Sequence, residues 1–452
     1  MNNQNKFNEL REKYKEFIYE KYEYSFDSVN LNIKYFFHIP GLTSFTPELK
    51  INREYIKIEY DEEYLKYLIF QIGLIELISY VKCTCSKDII VGAGYINEEQ
   101  INWLKKLYYN GLGEFLYVNG INIEQEELFN ITCTKEEIKL PEINYNGVGN
   151  LICVGGGKDS CVSLEILKHE ENNSCFIING KEPSLGTCKV AGYKAQDIIK
   201  VERILDREIV RMNEAGLLNG HTPFSSIVAF ISYLCAYLMG KKNIILSNES
   251  SANQATVIGT NINHQYSKSF EFEKDFMDYM NKFIKLDISY FSLLRGLSEL
   301  NIAKLFSHYK KFHQIFKSCN LGSKNKEWNW CCNCSKCLFV YIILSPFLTK
   351  DEIVDIFGQD LYEREDLLKY FIEILGYSDT KPFECVGTYE EARYAVSLAI
   401  KNYDGELPYL LKYYKDCFPM ELDGSEILKY NENNNLSEYY NELVKRELIR
   451  YV

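Results

Sequence analysis

Short apolar segments alternate with amphipathic segments from residue 150 to residue 249, and this pattern constrains the fold more than any other feature of the chain. The apolar segments predict strands, and the amphipathic segments between them predict helices. We expect strands at 150–154, 175–180, 208–213 and 243–249, with helices at 158–170, 195–205 and 223–240. Strands joined by crossover helices form a parallel sheet with helices on both faces, so an α/β fold is predicted.

The rest of the chain predicts further domains. Residues 1–133 combine an alternating stretch at 29–39 with a helical stretch at 62–78, which indicates an α+β domain. The polar stretch that follows contains Pro141 and is typical of a linker. The predicted organisation is therefore an N-terminal α+β domain (1–133), a linker (134–149), an α/β domain with a cysteine cluster (150–345) and a mostly helical C-terminal region (346–452).

Charge and hydropathy limit the partners of the protein. The 452 residues carry a formal net charge of −12, which disfavours a nucleic-acid partner because a polyanion is repelled. The apolar stretch at 64–81 contains Lys66, Gln71 and Glu76, which are costly in lipid, so we expect a buried helix and no membrane partner. The N-terminus is polar and lacks an apolar signal segment, which favours a cytoplasmic location. No pattern predicts an oligomeric state.

A glycine-rich turn follows the first strand of the alternating region. Its sequence is Gly155, Gly156, Gly157, Lys158, Asp159 and Ser160. Backbone N–H groups at the start of a helix bind anions, and a lysine adds positive charge. The turn is not a Walker loop, because Asp159 follows Lys158 where that motif has Ser or Thr. A plain capped turn would use Asp159 and Ser160 but would not require three glycines and a lysine.

The turn resembles the S-G-G-x-D-S loop of the PP-loop ATP-pyrophosphatase superfamily. The match rests on Gly156, Gly157, Asp159 and Ser160, whereas Gly155 stands where most members have Ser. The resemblance implies a HUP-like α/β core that binds ATP and cleaves it between the α- and β-phosphates. Glycine N–H groups and Lys158 can hold the leaving pyrophosphate while Mg²⁺ neutralises charge.

Five of the fifteen cysteines lie between residues 319 and 337. The spacing Cys331-x2-Cys334-x2-Cys337, with Cys319 twelve residues earlier and Cys332 as a spare, is typical of a metal site. Four thiolates close a tetrahedral site, which predicts a structural Zn²⁺. An iron–sulfur cluster remains the alternative. A similar cluster near the end of a PP-loop domain is a feature of the 7-cyano-7-deazaguanine synthases.

Four further polar stretches follow predicted strands or lie in loops: 219–226, 247–253, 261–273 and 381–387. With the glycine turn and the C-x2-C-x-K-C pattern, they resemble the UDP-N-acetylmuramoyl-L-alanyl-L-glutamate epimerases, bacterial ATP-dependent enzymes of peptidoglycan precursor synthesis. The order of the motifs carries the resemblance, which spans about residues 150 to 390. It implies that ATP adenylates the α-carboxylate of the terminal L-glutamate on a nucleotide-linked peptide. Proton transfer at the α-carbon and hydrolysis then yield the D-glutamyl product.

Such a reaction needs acid or base groups on both faces of the α-carbon. A free carboxylate leaves the neighbouring C–H a very weak acid, whereas an acyl adenylate stabilises the carbanion. The candidate groups are Cys385, His221, His264 and Glu384. A thiol, with its ordinary pKa of about 8.5, can be tuned to act near neutral pH. A packing role for Cys385 and a capping role for His221 stay open.

Other polar residues are candidates for binding. Ser247, Asn248 and Glu249 follow the fourth predicted strand and are expected at the ATP site, where they could hold ribose, Mg²⁺ or substrate. The candidates for substrate binding are Asn263, Tyr266, Lys268 and Arg295, the last in a stretch at 290–306 that we expect to be helical.

Two other functions stay open on the sequence. The first is another adenylating PP-loop enzyme, one that forms an amide or nitrile or inserts sulfur with a cysteine. The second is a zinc-stabilised nucleotide-binding module without turnover. Intact Lys158, Asp159 and Ser160 argue against a loss of turnover.

Overall fold

A computed structural model describes residues 2–137, 139–257, 259–319, 322, 329–421 and 423–451. Within these residues the strands are β1 (Glu16–Phe26), β2 (Asn30–Ile39), β3 (Thr43–Phe45), β4 (Glu48–Asn52), β5 (Asp88–Val91), β6 (Asn130–Cys133), β7 (Asn150–Cys153), β8 (Asn173–Ile178), β9 (Ile198–Ile204), β10 (Asn243–Leu246) and β11 (Ser289–Ser292).

The helices of the first 240 residues are α1 (Gln4–Lys13), α2 (Glu62–Glu76), α3 (Ile78–Val81), α4 (Glu98–Gly111), α5 (Gly113–Asn119), α6 (Gln125–Leu128), α7 (Lys158–Ile166), α8 (Glu182–Val190), α9 (Glu208–Glu214) and α10 (Phe224–Met239). Those that follow are α11 (Phe270–Phe283), α12 (Glu299–His308), α13 (Ser335–Leu344), α14 (Lys350–Phe357), α15 (Leu368–Ile374), α16 (Tyr389–Asn402), α17 (Tyr409–Cys417), α18 (Ser425–Leu428) and α19 (Glu438–Arg450).

The strands form one sheet with the order β11-β10-β7-β8-β9-β4-β2-β1-β5-β6, and β3 pairs with β2. Strands β1, β2, β4 and β9 pair antiparallel in succession, whereas β5 runs parallel to both β1 and β6. Strand β11 runs parallel to β10, because the Ser289 amide donates to Lys242 and the Leu293 amide donates to Leu246. The predicted α/β class is confirmed, and the C-terminal region is mostly helical as expected.

Two elements of the alternating region differ from the prediction. The segment 195–205, expected to be a helix, forms a short 3-10 turn and then strand β9. The segment 208–213, expected to be a strand, forms helix α9. The stretch 290–306 is also helical only from Glu299, because its first residues belong to β11. The strands at 150, 175 and 243 and the helices at 158 and 223 are confirmed within a few residues.

The described residues form two compact units, each assembled from separated stretches of chain. Unit 1 contains the chain up to Leu151, Ile199–Ile244 and Tyr266–Tyr290. Unit 2 contains Ile152–Ile198, Ile245–Gln265 and the chain from Phe291 onward. The four-part organisation expected from the sequence stays a prediction.

Unit 1 packs helices against the β1–β2 hairpin. Alternate residues of β2 are buried, from Leu31 to Ile39, so one face of the hairpin enters the core. Helix α2 begins where the Asp61 carboxylate accepts the backbone N–H groups of Glu63 and Tyr64. The stretch Glu62–Val81 is long and apolar enough to cross a membrane, but 89% of its most apolar window is buried inside the protein. The expectation of a buried core helix is therefore confirmed.

Unit 2 surrounds the buried helix α13, all ten residues of which are shielded from solvent. Helices α7, α12, α15 and α16 belong to the same apolar core. The C-terminal helices thus complete the core around β7 and α7. This packing fixes both ends of the glycine turn, which joins β7 to α7.

Candidate active site

The glycine turn is fixed by backbone contacts on both sides. Gly156 has a φ of +89°, in the left-handed region that favours glycine, and a Cβ there would lie 2.6 Å from the Ser184 amide nitrogen. The Gly156 carbonyl accepts the Lys317 N–H at 2.9 Å. The Ser160 hydroxyl accepts the Gly156 N–H at 3.1 Å and donates to the Gly157 carbonyl at 2.9 Å. Only glycine fits position 156 in this arrangement.

Gly155 has different surroundings although it is the next residue in the chain. It is exposed, and no described atom lies within 4 Å of the position that a Cβ would take. A serine side chain, usual at this position in the superfamily that the turn resembles, could be accommodated. The glycine at 155 is therefore not required by packing.

A buried lysine lies between two carboxylates at the start of α7. Lys158 is 1% exposed, and its ammonium donates hydrogen bonds to Asp159 and to Glu299, which begins α12. Burial lowers the pKa of Lys158, but the two carboxylates outweigh this effect and raise it above the ordinary value. Burial raises the pKa of Glu299 to about 8, against the opposing effect of Lys158. Lys158 therefore stays protonated, and Glu299 can gain or lose a proton near neutral pH.

The position of Glu299 is set by Glu391 and Gly387. One carboxylate oxygen of Glu391 accepts the Glu299 N–H at 2.8 Å, and the other accepts the Thr388 N–H at 2.6 Å. A Cβ on Gly387 would lie 2.7 Å from the Glu391 carboxylate and 3.0 Å from Glu299 Cγ. The glycine that ends the 381–387 stretch thus lets this segment approach both carboxylates. Burial also raises the pKa of Glu391.

The polar residues after β10 are held by the end of β11 and by the turn that follows it. The Ser292 hydroxyl donates to the Asn248 carbonyl at 2.6 Å, and the Arg295 guanidinium donates to the Glu249 carbonyl at 2.8 Å. The Ser247 hydroxyl donates to Ser163 of α7 at 2.8 Å. Glu249 is buried, and its charge contributes to the raised pKa values of Glu299 and Glu391, so the three carboxylates form one electrostatic cluster. Arg295 is 1% exposed and positions Glu249 through the backbone.

The 381–387 segment contributes a second buried lysine. The Lys381 ammonium donates to Gln254 Oε1 at 2.6 Å, and its backbone N–H donates to the Thr256 carbonyl at 3.1 Å. Cys385 is half-buried, and its carbonyl accepts a hydrogen bond from Lys336 of α13. Lys336 therefore connects this segment to the cysteine cluster, where it lies between Cys334 and Cys337 in the sequence.

The four predicted cysteine ligands converge in space. The Sγ atoms of Cys319, Cys331, Cys334 and Cys337 all lie within 4.8 Å of one another. Two of the separations are 3.5 Å for Cys334–Cys337 and 3.6 Å for Cys331–Cys337. Ligands 2.3 Å from a tetrahedral Zn²⁺ would be about 3.8 Å apart, so the four sulfurs fit such an ion. Backbone N–H groups of Gly322 and Asn333 donate to Cys319 and Cys331, as is favourable for thiolates.

Cys332 lies outside this group. Its thiol donates to the Phe357 carbonyl at 3.3 Å, and burial raises its pKa.

Lys317, whose N–H holds the glycine turn, precedes Cys319 by two residues. The cysteine cluster therefore supports one side of the turn.

The remaining predicted residues are divided between the units. In unit 1, His221 Nδ1 lies 3.1 Å from the Glu114 carboxylate, and Lys82 donates to the Gly220 carbonyl and to Thr222 Oγ1. Tyr266 is buried in the same unit, and burial raises its pKa. Lys268, also in unit 1, is half-buried at the end of a short 3-10 turn.

In unit 2, the Asn263 side chain donates to the Ala252 carbonyl at 2.8 Å, and the backbone N–H of His264 donates to Thr256 Oγ1 at 3.0 Å. The Glu384 N–H donates to the Pro382 carbonyl at 2.8 Å, which tightens the 381–387 segment. The structure thus brings together Lys158, Asp159 and Glu249 of the predicted ATP site.

Sequence reasoning gave no role to Glu391, Lys336 or Lys381. The capping sequence from Thr388 to Glu391 signals the start of α16, but not the second contact of Glu391 with α12. Lys381 lies in the polar stretch 381–387 and Lys336 lies in the C-x2-C-x-K-C pattern, but neither motif indicates a separate role for its lysine. Only the fold reveals that both ammonium groups point into protein.

The glycine turn and the buried lysine–carboxylate cluster beside it form a polar site within an α/β fold, an arrangement common among enzymes. The sequence matches two family models, the MurL N-terminal domain over residues 8–293 and the MurL C-terminal domain over residues 315–425. The chain belongs to the MurL family. It is accordingly an epimerase, an enzyme of the isomerase class.

Three relatives bear the same name, UDP-N-acetyl-alpha-D-muramoyl-L-alanyl-L-glutamate epimerase. The protein of Xanthomonas oryzae pv. oryzae is 32% identical over 360 residues, which cover 78% of this chain and 79% of the relative. That of Micromonospora sp. is 32% identical over 71% of this chain and 72% of its own length. That of Salinispora tropica is 33% identical over 71% of this chain and 70% of its own length. No solved structure matches the chain.

Proposed function

We propose that the chain uses ATP to convert the terminal L-glutamate of UDP-N-acetylmuramoyl-L-alanyl-L-glutamate to D-glutamate through an acyl adenylate. The substrate class follows the shared name of relatives that align with more than two thirds of the chain. The use of ATP is supported by one observation above all, the position of Lys158 between Asp159 and Glu299 at the glycine turn.

The glycine turn has the properties required to bind a phosphate chain. Its backbone lies at the N-terminus of α7, where N–H groups and the helix dipole favour an anion. Lys158 stays protonated and supplies a positive charge beside the turn. A protonated Glu299 removes one of the negative charges that would repel ATP. These residues would hold the pyrophosphate that leaves as AMP is transferred to the substrate carboxylate.

The carboxylates near the turn are suited to Mg²⁺. Asp159 is partly exposed and Glu249 is buried, and carboxylate oxygens are the ligands that this cation prefers. Bound Mg²⁺ would neutralise charge on the phosphates. Lys158 contacts Asp159 and holds its carboxylate beside the turn.

The cysteine cluster is proposed to hold a structural Zn²⁺. Four sulfurs close the coordination shell and leave no position for substrate. The ion would tie Cys319 to the start of α13. Lys317, two residues before Cys319, contacts the glycine turn, and Lys336 of α13 contacts the 381–387 segment. Metal analysis of the purified protein distinguishes Zn²⁺ from an iron–sulfur cluster.

The proton-transfer step uses groups near the α-carbon of the adenylated glutamate. Cys385, Glu384, His221 and His264 remain the candidates from the sequence. Cys385 is favoured by its fixed main chain, because Lys336 holds its carbonyl. ATP and the nucleotide-linked peptide are both small-molecule partners, and we expect the reaction in the cytoplasm.

The test is incubation of the protein with ATP, Mg²⁺ and the L-glutamyl substrate in D₂O. We expect AMP, pyrophosphate and a D-glutamyl product that carries deuterium at the α-carbon. The Asp159→Ala variant should form no AMP, whereas Cys385→Ala should form AMP without inversion if its thiol acts only in proton transfer. AMP formation by the wild-type protein without α-deuterium or inversion would contradict the epimerase mechanism and leave adenylation standing.

A further inference from the structure

Lys381 is buried in unit 2 and has no ion-pair partner among the residues that the structure describes. It is 4% exposed, and its ammonium donates to the neutral amide oxygen of Gln254. Among the described residues, no carboxylate oxygen lies within 4.0 Å of its Nζ atom. Lys158 in the same unit shows the usual arrangement, because it contacts two carboxylates directly. A buried ammonium with only a neutral partner is costly, which indicates a functional reason for Lys381.

The surroundings of Lys381 favour exchange of a proton. Burial lowers the pKa of Lys381 to about 8, and the acidic groups around it oppose this effect. Those groups are Glu391 and Glu390 on α16, Glu249 after β10 and Glu299 on α12. The aromatic ring of Tyr389 lies 5.1 Å from the ammonium. The side chain can thus be present both as an amine and as an ammonium near neutral pH.

The backbone around Lys381 is held in a defined position. Thr380 forms an isolated β-bridge with Val257, and the Lys381 N–H donates to the Thr256 carbonyl. Lys336 holds the carbonyl of Cys385 four residues further along. The Lys381 amine is therefore pre-organised on the same segment as Cys385 and near the carboxylate cluster of the ATP site.

We propose that Lys381 is a catalytic residue that carries one of the two proton transfers at the substrate α-carbon. This inference rests on the proposed function, since it assigns a step of that reaction. The lone pair of the amine nitrogen takes the α-proton, and the C–H electron pair passes into the enolate of the acyl adenylate. A second group on the opposite face donates a proton to the α-carbon, and the Lys381 ammonium returns its proton to water. The reverse assignment, with the ammonium as the donor, uses the same atoms.

The test compares Lys381→Met, which fills the same space without the nitrogen, with Lys381→Ala, which leaves a cavity. In D₂O with ATP and the L-glutamyl substrate, we expect both variants to release AMP within about tenfold of the wild-type rate. Inversion should fall at least about 100-fold in both, as expected for loss of a general acid or base. Propylamine should restore inversion at least about tenfold in Lys381→Ala but not in Lys381→Met, and propanol should restore it in neither.

Three results would overturn the role of Lys381. The first is inversion within about tenfold of wild type in Lys381→Met. The second is a loss of AMP release as large as the loss of inversion, which would indicate a role in binding or folding. The third is failure of propylamine to restore inversion in Lys381→Ala. If the wild-type protein itself forms neither AMP nor the D-epimer, the proposed function fails instead.

Discussion

Gly155 and Gly156 are adjacent residues with opposite tolerance for a side chain. We expect Gly156→Ala to lose AMP formation and about 1–3 kcal/mol of stability, because a Cβ at +89° is strained and meets the Ser184 backbone. Gly155→Ala is the matched control and should retain AMP formation within a few fold, since the space at this position is open. Thermal unfolding and AMP release measure both effects. Equal losses in the two variants would contradict the geometry of the turn.

The buried carboxylate of Glu299 should make stability depend on pH. Its pKa rises from 4.5 to about 8 on folding, so the folded protein binds an extra proton in this range. This contribution to stability is present below pH 4.5 and is lost as the pH rises toward about 8. We expect the urea midpoint to fall between pH 5 and pH 8 in wild type, and to fall less in Glu299→Gln. Glu9→Gln, on the exposed face of α1, is the control and should behave as wild type. Parallel pH profiles in all three proteins would show that Glu299 does not bind the extra proton.

The residues of the glycine turn could be predicted from the sequence because they are consecutive in the chain. The residues that contact the turn could not be predicted. Lys158 and Glu299 are 141 positions apart, and no pattern near either residue indicates the contact. Lys381 likewise carries no sequence signal of its burial, because the acidic groups around it come from α12, α16 and the segment after β10.

At the level of elements, the cysteine cluster connects the glycine turn with helix α13. Cys331 and Cys332 are neighbours, yet only Cys331 belongs to the four-sulfur group. We expect Cys331→Ser to lose bound metal and at least about tenfold of AMP formation, since Lys317 would no longer be held against Gly156. Cys332→Ser should keep both. Metal content and AMP release are the measurements, and full activity in metal-free Cys331→Ser would contradict this support role.

Strand β9 and helix α9 were predicted wrongly because the local sequence pattern of each fits a helix and a strand almost equally well. In β9 the residues Ile198, Ile199 and Val201 are buried, and their positions suit a helix face as well as a strand. The β-branched side chains favour a strand, and hydrogen-bonded pairing with β4 stabilises the strand conformation of this segment. In α9, Ile209 and Met212 are buried three residues apart while Val210 is exposed, which is a helical pattern too short to identify from sequence.

Across the whole molecule, the candidate active site of unit 2 is assembled from distant parts of the chain. The glycine turn comes from its first stretch, Glu249 and Gln254 from its second, and Glu299, Lys336 and Lys381 from its third. The motifs noted in the sequence supplied several of these residues in order but not their contacts. The apolar stretch at 64–81 was predictable as a core helix because its polar residues are incompatible with lipid.

The central claim is that ATP activates the α-carboxylate of the substrate. It is tested by incubating the wild-type protein with ATP and substrate labelled with ¹⁸O in both oxygens of that carboxylate. If water attacks the carbonyl carbon of an acyl adenylate, the bridging oxygen leaves with the phosphate. We therefore predict one ¹⁸O atom in each AMP released, measured by mass spectrometry alongside the D-glutamyl product. Unlabelled AMP formed together with that product would contradict the account.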